Sequence, residues 1–221
     1  MLFILTGDVQ IGKTRWLEKL CVELAGRDVA VAGVIAPGQW VARAPGQPAG
    51  RHGLDGAGRF EKLGIDNVLL PQGRRIEFAR RRDLASAGDG FADGGQARAA
   101  QLGWAISDKA IDEVNDHFAQ LGREACSESD ESKRGDEGAV PGFLVVDELG
   151  RLELMRGCGL VQAMKLLDAG PSPAFPHALI VVRETLLDAA LARFEPVWGD
   201  VAAIGPDDEG RLRIFEAFGL S

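Results

Sequence analysis

The sequence predicts an α/β fold, a mostly parallel sheet with helices on both faces and an antiparallel hairpin added to it. Three observations predict this. Short, continuous apolar runs alternate along the chain with stretches of helical periodicity, the pattern of strands buried on both faces and joined by crossover helices. LGIDNVLLPQGRRIEFARR places two strand-like runs around the compact turn Pro71-Gln72-Gly73. A chain of 221 residues, 46% of them hydrophobic, can bury one sizeable core, so residues 1–221 are read as a single domain.

In chain order, Leu2 to Leu5 is a strand, apolar without alternation. Leu17, Leu20, Cys21 and Leu24 then recur at helical spacing, so an amphipathic helix follows Thr14 and ends near Gly26. Val29 to Ile35 is a second strand. Residues 37–59, PGQWVARAPGQPAGRHGLDGAGR, are rich in Gly and Pro and predict a flexible surface loop. In the hairpin that follows, Ile76 and Phe78 take one face. Arg74, Arg75, Arg80, Arg81 and Arg82 therefore read as solvated charges, with a phosphate-contacting patch as the alternative. Residues 85–97 predict a second flexible loop. GWAIS predicts a strand, and Ala110, Ile111, Val114, Phe118 and Leu121 form one stripe of a helix running to about Gly122, with His117 packed beside it. Residues 123–142, charged and almost without apolar content, predict a mobile loop. FLVVD is a strand, followed by a helix over about 159–167, the strand HALIVV, a helix over about 185–194, and VAAI as a last core strand.

With 33 acidic and 25 basic residues the net charge is -8, which gives no electrostatic reason to expect nucleic acid or an anionic membrane as partner. The three cysteines, Cys21, Cys126 and Cys158, have neither zinc-ligand nor disulfide spacing and suit a reducing compartment. Met1 to Leu5 is too short for a signal or a membrane span. The expectation is a soluble, cytoplasmic protein that binds phosphates, if at all, at a local site.

GDVQIGKT, residues 7–14, supplies such a site, because it matches G-x-x-x-x-G-K-[ST] between a predicted buried strand and a predicted helix. Gly7 permits a sharp exit from the strand, and Gly12 permits close backbone approach. Backbone N–H groups from about Val9 to Thr14 would converge on phosphate oxygens at a helix N-terminus. The nucleotide-binding residues read from this motif are Gly7, Asp8, Val9, Gln10, Ile11, Gly12, Lys13, Thr14 and Arg15. Lys13 would reach the β- and γ-phosphates, and the Thr14 hydroxyl would hold Mg²⁺. A plain strand-to-helix turn with an exposed lysine is the bland reading. The metal needs a carboxylate at the end of a strand on the same edge of the sheet, and FLVVDE provides Asp147 for it. Glu148 beside it suggests a base for attacking water, against a strand end capped by solvated acids.

TGDVQIGKT and VVDELGRLEL, with GVIAPG, GIDNVLLPQG and GWAISDKAI between them, resemble the small P-loop nucleoside-triphosphatases of the THEP1 type. That family carries a D-E-[IL]-G-x-[ML]-E-L signature, matched here by Asp147 to Leu154. The resemblance implies a RecA-like sheet and Mg²⁺-dependent hydrolysis of nucleoside triphosphates such as ATP or GTP to diphosphate and phosphate. Gln10 stands where the family usually has glycine, Arg15 where a second threonine is common, and Arg151 where lysine is frequent. Arg183, closing HALIVVR, is a further catalytic candidate for γ-phosphate charge, or an ion-pair partner of an acid. Glu153 either positions Arg151 or orients the site, or else makes a helix-start or loop salt bridge. Trp40 and Trp104 either stack on a base or pack. The alternative functions are a nucleoside or nucleotide kinase, and a slow nucleotide-dependent switch acting on a partner protein.

Overall fold

The computed structural model describes residues 1–43, 59–85, 91, 104–132 and 142–220, with side chains of the third long stretch described through 126. Strands and helices run in chain order β1 (Leu2–Leu5), α1 (Lys13–Ala25), β2 (Ala30–Ile35), β3 (Gly38–Ala42), β4 (Phe60–Leu70), β5 (Arg74–Arg81), β6 (Trp104–Ile106), α2 (Asp108–Ser132), β7 (Gly142–Leu149), α3 (Arg151–Arg156), α4 (Val161–Asp168), β8 (His177–Val182), α5 (Leu187–Trp198), β9 (Val201–Ile204) and α6 (Asp208–Ala217). The parallel part has the spatial order β2-β7-β8-β1-β9. Beyond β2 the sheet turns antiparallel through β4, β5 and β6.

The apolar runs of the strands are continuous because both faces are covered. Side chains alternate across a strand, so Leu2, Ile4, Leu144, Val146, Ala178 and Ile180 pack against α2, α4 and α5. Phe3, Leu5, Phe143, Val145, Leu179 and Val181 pack against α1 and α6 on the other side. Each such side chain contributes roughly 1.5–3 kcal/mol by leaving water. His117 is buried beside Phe118, with Nε2 3.1 Å from the Gly33 carbonyl oxygen. It is a packing residue, and burial lowers its basicity.

Several elements differ from the sequence reading. Gly38–Ala42, inside the loop expected over 37–59, is strand β3. Its cause is tertiary: β4 continues past the end of β2, and β3 satisfies the backbone of its outer half, Gly38 opposite Ile65 through Ala42 opposite Phe60. α2 does not stop at Gly122 but runs on to Ser132, through the first ten residues of the loop expected over 123–142. Residues 123–132 contain no Gly or Pro, and Gly122 lets α2 approach α4, since a Cβ there would lie 3.2 Å from Leu166 Cδ2. One interior glycine costs only about 1 kcal/mol. The short α3 and the terminal α6 were not anticipated; Asp207 caps α6 by accepting from the Gly210 N–H at 2.9 Å. The remainder of the loops expected at 37–59, 85–97 and 123–142 lies mostly outside the described residues. No described helix is long and apolar enough to cross a membrane.

Candidate active site

The loop between β1 and α1 is shaped by backbone that ordinary residues avoid. Gly7 has φ 124° and Gly12 φ 97°, and a Cβ on Gly7 would come within 2.7 Å of Ile11 Cδ1. Gln10 sits at φ 69°, the left-handed region that costs a non-glycine residue about 1–2 kcal/mol, so the glycine usual at this position has a physical reason. Gly12 precedes α1, and the Trp16 N–H donates to its carbonyl at 2.9 Å. No described side chain caps the helix and its first turn holds no acid, so its N-terminus keeps its attraction for an anion. Lys13 folds back over the loop, with Nζ 2.8 Å from the Gly7 carbonyl oxygen and 2.7 Å from that of Asp8. Burial lowers its pKa, Glu148 opposes that shift and Arg183 adds to it. Asp8, Val9, Gln10, Ile11 and Arg15 are exposed.

The two carboxylates reach the same edge by way of a β-bulge. Val146 pairs with Ile180 and Leu149 with Val182, so β7 spends one residue more than β8 over this step. Val146 and Leu149 consequently face the same core cluster. Glu148 takes φ 69° and is exposed, while Asp147 is buried. Regular alternation would send the two acids to opposite faces; the extra residue re-aims them at the strand end. Asp147 brings three elements together: its Oδ2 accepts from the Ala36 N–H at 2.9 Å, just past β2, and the Thr14 side chain of α1 lies close enough to the carboxylate to favour its charge. Burial pushes the Asp147 carboxyl up to about 6, against the Ala36 N–H, with the charge of Glu148 adding to the rise. Arg183 follows β8 directly, and its Nη2 meets Glu148 Oε1 at 3.0 Å in an exposed pair.

Other candidates take structural places. The buried Glu153 accepts from the Gly150 N–H at 2.9 Å and the Leu160 N–H at 3.1 Å. It ties the start of α3 to the start of α4 and does not bond Arg151. The β5 arginines pair with acids: Arg74 with Glu113, Arg75 with Asp66, Arg80 with Glu77, and Arg81 with Glu61 and Asp83. Cys21 is buried in α1, and burial pushes its thiol up to about 12. Trp40 and Trp104 flank Lys62 of β4, a residue the sequence reading passes over. Lys62 opposes Trp40 only because β3 exists, so the signal was hidden with that strand.

No family model matches the chain, and no curated protein does. Among solved structures, the solution structure of a human cancer-related nucleoside triphosphatase is similar over 99% of this chain and 94% of that one, with a TM-score of 0.52 and 17% sequence identity. The two share a fold, a mostly parallel α/β sheet with helices on both faces. The glycine loop follows β1, and β8 separates β1 from the strand that carries Asp147.

Proposed function

We propose that the protein is a nucleoside-triphosphatase that takes ATP, GTP or a related triphosphate with Mg²⁺ and releases diphosphate and phosphate. One observation carries the reading: the buried Asp147 carboxylate, held by the Ala36 N–H, stands at the acidic end of β7 within reach of the Thr14 side chain that follows the glycine loop. A cation fits there, because a hydroxyl and a buried carboxylate are hard oxygen donors, and a cation would offset the cost of keeping that buried carboxylate charged. The described residues hold no group of three or more His, Cys, Asp and Glu able to bind a metal. Mg²⁺ would be held by Thr14, Asp147, waters and the phosphates themselves. When bound, Mg²⁺ supplies neutralisation of the β- and γ-phosphate charge.

The chain's own residues do the rest. Backbone N–H groups from Val9 to Thr14 bind phosphate oxygens, and Lys13 exchanges the Gly7 and Asp8 carbonyls for them. Glu148 accepts a proton from water as the water oxygen bonds to the γ-phosphorus and the bond to the bridging oxygen breaks, leaving its electron pair on the diphosphate. Arg183, held beside Glu148, offers its charge to the phosphoryl oxygens. The acid-paired arginines of β5 weigh against a kinase lid. Phosphate release from ATP and GTP with no acceptor, with and without Mg²⁺, tests the proposal, and transfer to an added nucleoside in place of release would refute it. Glu148→Gln should bind nucleotide normally and turn over about 10²–10⁴-fold more slowly, the usual contribution of a general base; a wild-type rate would remove Glu148 from that role.

A further inference from the structure

A second lysine lies within electrostatic reach of the same carboxylates. Lys62 lies opposite Trp40 across the β3–β4 ladder. Its Nζ is 6.0 Å from the Trp40 ring centroid and 5.5 Å from that of Trp104, at cation–π range of both. Its stem runs along β3 over Gly38, where a Cβ would meet Lys62 Cε at 2.6 Å. Gly38 is two residues from Ala36, whose N–H holds Asp147. The two indoles and the missing side chain at Gly38 therefore clamp the lysine where its head lies near the acidic end of β7.

The electrostatics agree with this placement. Burial lowers the Lys62 pKa, Glu148 and then Asp147 oppose the shift, and Arg183 adds to it; the same three side chains act with the same signs on Lys13. Among the described residues Lys62 has the two ring faces but no hydrogen bond or ion pair. A partly desolvated ammonium without an anion is costly, and an arriving anion relieves that cost.

We propose that Lys62 contacts the terminal phosphate of the bound triphosphate, a further cation beside Lys13 and Arg183 that tells triphosphate from diphosphate. The assignment rests on reading the site as a triphosphate site. On this account Trp40 and Trp104 hold the ammonium and exclude water from it, which strengthens its pull on phosphate, and they do not serve as a base sandwich.

The test is equilibrium binding, with Mg²⁺, of a non-hydrolysable triphosphate analogue and of the diphosphate to wild type, Lys62→Met and Lys62→Arg, together with phosphate release and thermal unfolding of each. Lys62→Met should lose about 10–100-fold in triphosphate affinity, the scale of one charge-assisted hydrogen bond. Its diphosphate affinity should stay within about twofold, and Lys62→Arg should recover most of the loss. Lys62→Gln makes the same comparison should the methionine variant not fold. Equal losses for both nucleotides, or no loss, while wild type binds and hydrolyses, would overturn the role of Lys62 and leave the triphosphatase reading standing. Wild type that neither binds triphosphate nor releases phosphate would overturn both.

Discussion

Asp147→Asn should stabilise the ligand-free protein while crippling its site. Burial raises the Asp147 carboxyl from an ordinary 3.8 to about 6. At about 1.4 kcal/mol per pH unit, keeping it ionised costs the folded state about 3 kcal/mol. Asparagine removes that cost and retains the local bonding, since its amide oxygen can accept from the Ala36 N–H and its NH₂ can donate to Thr14. The sign follows from which state loses the proton first. Below about pH 4 both states of the wild type hold it and the variants should unfold alike. Between about pH 4 and 6 the unfolded chain releases it first, so wild-type stability falls as pH rises, and above about pH 7 the full gap should stand. For a domain of this size the gap corresponds to a rise of about 6–12 °C in Tm. Thermal unfolding from pH 4 to 8 without Mg²⁺ or nucleotide measures it, and titration with nucleotide should show weaker affinity that no longer responds to Mg²⁺. An asparagine variant that melts at or below the wild-type temperature at pH 8, or one whose advantage is as large at pH 4, would refute the reasoning.

Lys13→Ala removes the cation that bonds the Gly7 and Asp8 carbonyls, so triphosphate binding should be lost by equilibrium titration, with phosphate release gone as well. Glu153→Ala strands the buried N–H of Leu160 and the part-buried N–H of Gly150, and chemical denaturation should find it less stable by about 1–3 kcal/mol. Its nucleotide affinity should change little if the carboxylate serves only to tie α3 to α4.

Whatever was written in local pattern could be read from the sequence. The apolar run Leu2–Leu5, the glycine spacing before Lys13 and the stripe Leu17, Leu20, Cys21 and Leu24 place the loop between strand and helix, and the run before Asp147 places that acid at a strand end. What escaped depends on residues far apart in the chain. Gly38–Ala42 is Gly/Pro-flanked and has no strand pattern of its own; it is extended because β4 needs a partner, and Lys62 stayed unnoticed with it. The adjacency of Asp147 and Glu148 suggested a shared task, but alternation would have parted them, and the bulge that prevents this has no mark in FLVVDEL. Glu153 could be seen as a salt-bridge partner or a positioning group, and finding its place required knowing that the Leu160 N–H comes back to meet it.

The neighbours of β1 carry a consequence for how the chain matures. β1 precedes β8 and β9 in the chain by more than 170 residues, yet it pairs with both. During synthesis LFIL therefore waits as an unmatched apolar segment until β8 and β9 have emerged, a window in which it is open to wrong partners. The glycine loop meets Asp147 only when β8 has entered between their strands, so the last third of the chain completes a site whose two halves were already made. Nucleotide can accordingly select the finished sheet but no earlier intermediate, and its protection against unfolding should appear all at once, in the global transition.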